Sequence, residues 1–208
     1  MATPLAEAWN TAIAQGNVQR VKELMTGALQ EAPVTLRAPF VLAALTHRSA
    51  AMVQALLPRY ASQINEPGMD GRTALWIALG FGHTQTARRL LEAGADPNAP
   101  VRSGLTPWEF ALGEGLADLV VPLKQHNAGL SSWPDLAWEQ VKAGNRQAVA
   151  HALLKAGIVP HRGTSVDGWV NRPEWESVAQ HLLVIRREEE LNGGLPAASE
   201  TDIKRQRF

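Results

Sequence analysis

A 33-residue period constrains this chain more than any single motif does. The clearest copy is Asp70-Gly71-Arg72-Thr73-Ala74-Leu75-Trp76-Ile77-Ala78-Leu79-Gly80-Phe81-Gly82-His83, continuing to Leu90-Leu91-Glu92-Ala93-Gly94-Ala95-Asp96-Pro97-Asn98-Ala99. A shift of 33 carries Gly71, Thr73, Ala78, Gly82 and Leu90 onto Gly104, Thr106, Ala111, Gly115 and Leu123. A shift back by 33 carries Leu75, Leu90 and Asn98 onto Leu42, Leu57 and Asn65. Back by 66, Ala78, Gly82 and Leu90 fall on Ala12, Gly16 and Leu24. A fifth copy fits at an offset of 63, with Trp138, Val141, Leu153, Leu154 and Gly157 on Leu75, Ala78, Leu90, Leu91 and Gly94. A register held across that many units implies a stacked solenoid, in which each unit touches only its neighbours.

Each unit reads as two short antiparallel helices. Leu75, Ala78 and Leu79 are apolar at helical spacing, and Ala87, Leu90 and Leu91 repeat the pattern after Gly82. Gly82 falls where the first helix must stop, because glycine reaches a left-handed conformation at little cost, and Gly94 closes the second helix in the same way. Thr73 is placed to cap the first helix and Thr84 the second. Ala78 and Ala111 are small where helices of adjacent units approach. A lone unit buries too little to offset its chain entropy, so stability depends on stacking.

The run from Asp70 to Ala99 resembles an ankyrin repeat, through Gly71, Thr73, Leu75, Ala78, Gly82-His83 and Leu90 to Asn98. Arg102 to Asn127 is similar more loosely, through Gly104, Thr106-Pro107, Ala111, Gly115 and Leu123. The resemblance implies an all-α ankyrin-repeat solenoid over residues 1–158, with repeats at about 2–34, 35–67, 68–100, 101–130 and 131–158. It is followed by a loop and a C-terminal capping helix in 159–191 and a flexible tail in 192–208. His83 takes the position of the family's structural G-H histidine.

What the resemblance implies for function is a module that binds another protein through the concave face of the stack, without a cofactor and without catalysis. Adaptor, effector-binding and immunity-type roles all fit. Carried over position by position, the partner-binding residues are Met69, Asp70, Arg72, Trp76 and Phe81 of the third unit. The fourth contributes Arg102, Ser103, Leu105, Glu109 and Glu114, and the second Arg37, His47 and Arg48. Arginine and aromatic side chains are enriched at interface hot spots. Trp76 departs from the family's T-P-L-H histidine, so it is expected either toward the concave side or packed between repeats. Two alternatives belong to other classes: a permanent subunit of a larger assembly, or an enzyme whose site forms from residues 161–167.

Composition narrows the remaining classes. Twenty Lys and Arg balance twenty Asp and Glu, so no broad field draws nucleic acid or an acidic membrane. The chain has no cysteine, which excludes disulfides and thiolate metal sites. The start, Met1-Ala2-Thr3-Pro4-Leu5-Ala6-Glu7, lacks the charged and apolar regions of a secretory signal. No apolar run approaches a membrane span. A cytoplasmic protein that is monomeric when free is expected.

Six histidines lie at 47, 83, 126, 151, 161 and 181, none paired with another at i+3 or i+4, so a metal site is not expected. Gly80-Phe81-Gly82 lacks the rest of a dinucleotide fingerprint. Residues 163–167 lack the last glycine of a nucleophile elbow.

The chain ends are read from their apolar faces. Trp9, Ile13, Val21 and Leu24 form the buried side of the first unit, opposite Glu7, Gln15, Gln19, Lys22 and Glu23. Trp9, Trp108 and Trp138 take the Leu75 position and are expected in the core. In the segment Pro173 to Leu191, Asn171 is a cap candidate, and Trp175, Val178, Leu182 and Ile185 form a stripe that covers the last repeat. Trp133 and Trp169 are expected to help staple this end.

Overall fold

Helix pairs separated by glycine turns build the chain. The computed structural model describes residues 4–26, 38–46, 49–101, 104–126, 128, 134–144, 146–160 and 172–191. These contain α1 (Pro4–Ala14), α2 (Val18–Thr26), α3 (Pro39–Ala44), α4 (Ser49–Tyr60), α5 (Ala74–Gly80), α6 (Thr84–Glu92), α7 (Pro107–Glu114) and α8 (Ala117–Gln125). Then come α9 (Pro134–Ala143), α10 (Gln147–Lys155) and α11 (Glu176–Leu191), the last entered through a 3-10 turn at Pro173–Trp175. No strand occurs among the described residues. The chain divides into two compact units, Met1–Gly129 and Leu130–Phe208.

In the first unit α1, α3, α5 and α7 pack in sequence as one row, and α2, α4, α6 and α8 as a second. The periodic residues explain both rows. Trp9 and Trp108 at the Leu75 position, with Leu75 itself, are at most 1% exposed, and Ala78 and Ala111 are fully buried where the rows meet. Gly16, Gly82 and Gly115 hold φ of 64°, 67° and 78° at the helix–helix turns. There a β-carbon would carry the left-handed penalty of about 1–2 kcal/mol. Between repeats, Asn65 bridges the chain by donating to Gly94 O at 3.3 Å and accepting from Asp96 N at 2.8 Å. Asn65, at the end of the second repeat, thus satisfies backbone groups of the third. His83 does the structural work expected of it, with Nδ1 3.1 Å from Ala44 O on the preceding repeat.

Two expectations are corrected. Thr73 caps α5, accepting from Trp76 N at 3.4 Å, but Thr84 does not cap α6. It is the first helical residue, the cap position is His83, and the His83 side chain makes no cap bond.

The second correction is one of register. α4 begins 35 residues before α6, not 33, while Asn65 stays 33 before Asn98. Phe40 and Leu56 are therefore the buried residues, at 1% and 0% exposure, and Leu42 and Leu57 are half-buried. The two extra residues are taken up at the end of α4, which runs 12 residues against nine for α6 and continues into a 3-10 turn at Ala61–Gln63.

In the second unit α9 and α10 pair as the fifth copy. Trp138, Val141 and Leu153 are fully buried, Leu154 is buried, and Gly157 takes φ 73°, as the offset of 63 requires. α11 packs on α10. Its stripe of Trp175, Val178 and Leu182 is buried, with Ile185 only half-buried at the margin. Asn171, Trp133, Trp169 and the segment 161–167 lie outside the described residues.

Candidate functional site

Two hairpin turns, 33 residues apart, project between the helix pairs of the first unit. In one, Gly68 N donates to Arg72 O at 2.9 Å and Gly71 N to Gly68 O at 3.0 Å. In the other, Val101 N donates to Leu105 O at 3.0 Å and Gly104 N to Val101 O at 2.8 Å. Met69 stands on the first tip at 87% exposure, and Leu105, which closes the second hairpin, is 36% exposed.

Within the first tip, Arg72 fixes Asp70, donating through its backbone N (3.0 Å) and its Nε (2.6 Å). Those bonds, backbone first, hold the Asp70 carboxyl below the usual carboxylate range. The Arg72 guanidinium also lies 5.5 Å from the centre of the Trp76 ring, a cation–π contact.

Trp76 belongs to neither the core nor the open surface. Its ring lies over Gly80, where a β-carbon would sit 3.6 Å from Trp76 Cζ3. Its other neighbour is Phe110 of the next repeat, 4.5 Å away between centroids. Arg72, Trp76 and Phe110 therefore form a half-buried ladder across two repeats. At the far end of α5, Phe81 is 62% exposed, with its ring stacked 5.9 Å from that of His83.

Glu109 is turned to a local task. Its Oε2 accepts from Thr106 N and Oγ1, both at 3.0 Å, while Glu109 N donates to Thr106 Oγ1 at 3.1 Å. This reciprocal capping box starts α7. Glu114 is exposed at the other end of that helix. Arg37, His47, Arg48, Arg102 and Ser103 lie outside the described residues.

Residues that sequence reasoning did not select extend the same face. Asn10, Thr11 and Ala14 of α1, with Val41, Leu42 and Leu45 around α3, line a groove of about 520 Å³ that ends at Gly68 and Met69. Placing Leu42 in the core hid this groove, and the two-residue slip of α3 is what turns Val41, Leu42 and Leu45 outward.

The large exposed hydrophobic side chains of the first unit are, among the described residues, Leu45, Met69, Phe81 and Leu105. All four sit in the hairpins or at the ends of first helices. The exposed positions of α6, by contrast, are Gln85, Arg89 and Glu92, and Arg89 and Glu92 pair with each other at 2.9 Å. Among the described residues no group of three or more His, Asp or Glu is placed to hold a metal, and no helix is long and apolar enough to cross a membrane.

Comparison with known proteins agrees with this architecture. The family described as ankyrin repeats (3 copies) matches residues 9–101 and 40–130. The human neurogenic locus notch homolog protein 4 is 52% identical over 42 residues, which are 20% of this chain and 2% of that protein. The chain thus spans a small fraction of that relative's length. No solved structure matches.

Proposed function

Because the chain belongs to the ankyrin-repeat family, we propose that it binds a partner protein through the face made by the first helices and hairpin tips of Met1–Gly129. Ankyrin repeats mediate protein–protein interaction as a class, and the finer question is which surface does so here. The observation that carries the reading is the segregation of exposed apolar side chains. Leu45, Met69, Phe81 and Leu105 lie on the first-helix side, and among the described residues of this unit no large exposed apolar side chain lies on a second helix. Covering such side chains releases water and drives association, and the Arg72–Trp76 pair supplies the residue types that dominate interface energies. The role is to occupy a partner, as an adaptor, effector-binding or immunity-type module does, rather than to transform a substrate.

Affinity capture from the cells that make the protein tests this, with the parent chain compared against an Arg72→Glu/Phe81→Glu variant shown by its thermal melt to be folded. A protein held by the parent and lost by the variant is the expected result. The same protein retained by both would place the interface elsewhere and sink the assignment of this face.

A further inference from the structure

His151 and His181 stand 30 positions apart, and the packing of α11 on α10 brings their rings together. Their Nδ1 atoms are 3.3 Å apart. The rings stack with centroids 5.6 Å apart and planes inclined by 26°. On the other side of the first ring, Ser177 Oγ lies 3.2 Å from His151 Nε2. Both imidazoles are half-buried.

A contact of this kind has a fixed proton capacity. One Nδ1 donates its N–H and the other must accept with a lone pair. One added proton is accommodated at an Nε2. At His151 the Ser177 hydroxyl then turns from donor to acceptor. A further proton is not, because two N–H groups would face each other across 3.3 Å with two charged rings stacked.

The neighbouring charges offer no relief. Lys155, one turn along α10, adds positive charge. Glu139 and Lys142 of α9 hold each other in an exposed pair at 3.6 Å. Glu174 and Glu176, at the start of α11, are exposed. Among the described residues neither ring is in an ion pair with a carboxylate. Burial first, then the charges of His181 and Lys155, hold the His151 imidazole below the ordinary histidine range.

We propose that the His151–His181 contact is an acid-released clasp, which keeps α11 docked on α10 near neutral pH and lets it go as the pH falls below about 6. Below the ordinary histidine pKa of about 6.5 the undocked state binds more protons than the docked one. Docking is therefore complete above that value and weakens as the pH drops. Opening bares the Trp175, Val178 and Leu182 stripe, now at most 4% exposed, so acid exposes that apolar surface more often. Gln147 Nε2 also donates to Glu174 O at 2.8 Å, a tie that does not titrate.

Hydrogen exchange of the full chain at pH 7.5 and 5.5, corrected for intrinsic rates, tests the clasp. Opening of 172–191 is expected to rise by on the order of tenfold at the lower pH, with α5 and α6 unchanged. His181→Gln keeps a neutral hydrogen-bonding group and is expected to abolish that pH dependence. Equal protection of 172–191 at both pH values, or the same acid loss in the variant, would overturn the proposal. Should the variant undock at every pH, proton-detected titration of the two imidazoles in the parent decides. Coupled curves, with His151 below the ordinary range, are expected, and two independent curves would refute the clasp.

Discussion

The second and third helix pairs share one sequence period and are held in different ways. α5 starts from Thr73 in extended geometry, with its side chain on the helix. α3 starts from Ala38, whose φ of 45° and ψ of 59° are left-handed, with no side-chain cap. The turn after α5 is closed by Gly82 and pinned by His83 to Ala44 O. Repeat ends keep their spacing, because Asn65 must reach Gly94 and Asp96 of the next repeat. Helices are freer, since burial is decided by which side chains meet the neighbouring rows. A repeat with its own caps and glycines therefore follows the period, while one held mainly by its neighbours slides two residues within it.

The sharpest way to break this comparison is to truncate adjacent leucines of α4. Leu56→Ala is expected to cost about 2–5 kcal/mol and Leu57→Ala less than about 1, read from urea unfolding of each variant. The reverse order would restore the uniform 33-residue register. Next in size is Gly94→Val. φ is 92° and nothing lies within 4 Å of an added β-carbon, so the cost is conformational, about 1–2 kcal/mol. A thermal melt that coincides with the parent's would contradict the third repeat's geometry. The smallest effect is a gain. Ala38→Gly relieves the left-handed backbone and is expected to raise stability by up to about 1 kcal/mol, less the chain entropy of the added glycine. A loss of stability on denaturant titration would show that α3 does not start as described.

Much of this was legible in the sequence where one residue type has one physical use. The tryptophans at positions 9, 108 and 138 are fully buried as their register requires. The offset of 63 correctly placed Gly157, and the stripe of Trp175, Val178 and Leu182 is covered. The slip in the second repeat was not legible, because Phe40 or Leu42, and Leu56 or Leu57, offer an apolar residue in either register. The role of Glu109 had a signal, the Thr106-x-x-Glu109 spacing of a capping box, that the interface reading passed over. His151 and His181 had none. Spacing within a helix finds partners three or four residues apart, and this pair is made by tertiary packing across 30. Trp76 also needed coordinates, since whether an aromatic on a first helix turns outward depends on Gly80 beneath it and Phe110 beside it.

On the proposed function, the first-helix side of Met1–Gly129 contacts the partner and the second-helix side does not. Site-specific photo-crosslinking tests it without knowing the partner, using a benzophenone amino acid at Phe81, 62% exposed, and at Arg89, exposed on α6. An adduct with a discrete protein from Phe81 and none from Arg89 is the predicted result. An adduct from Arg89 alone would refute the proposed face and move the interface to the second helices.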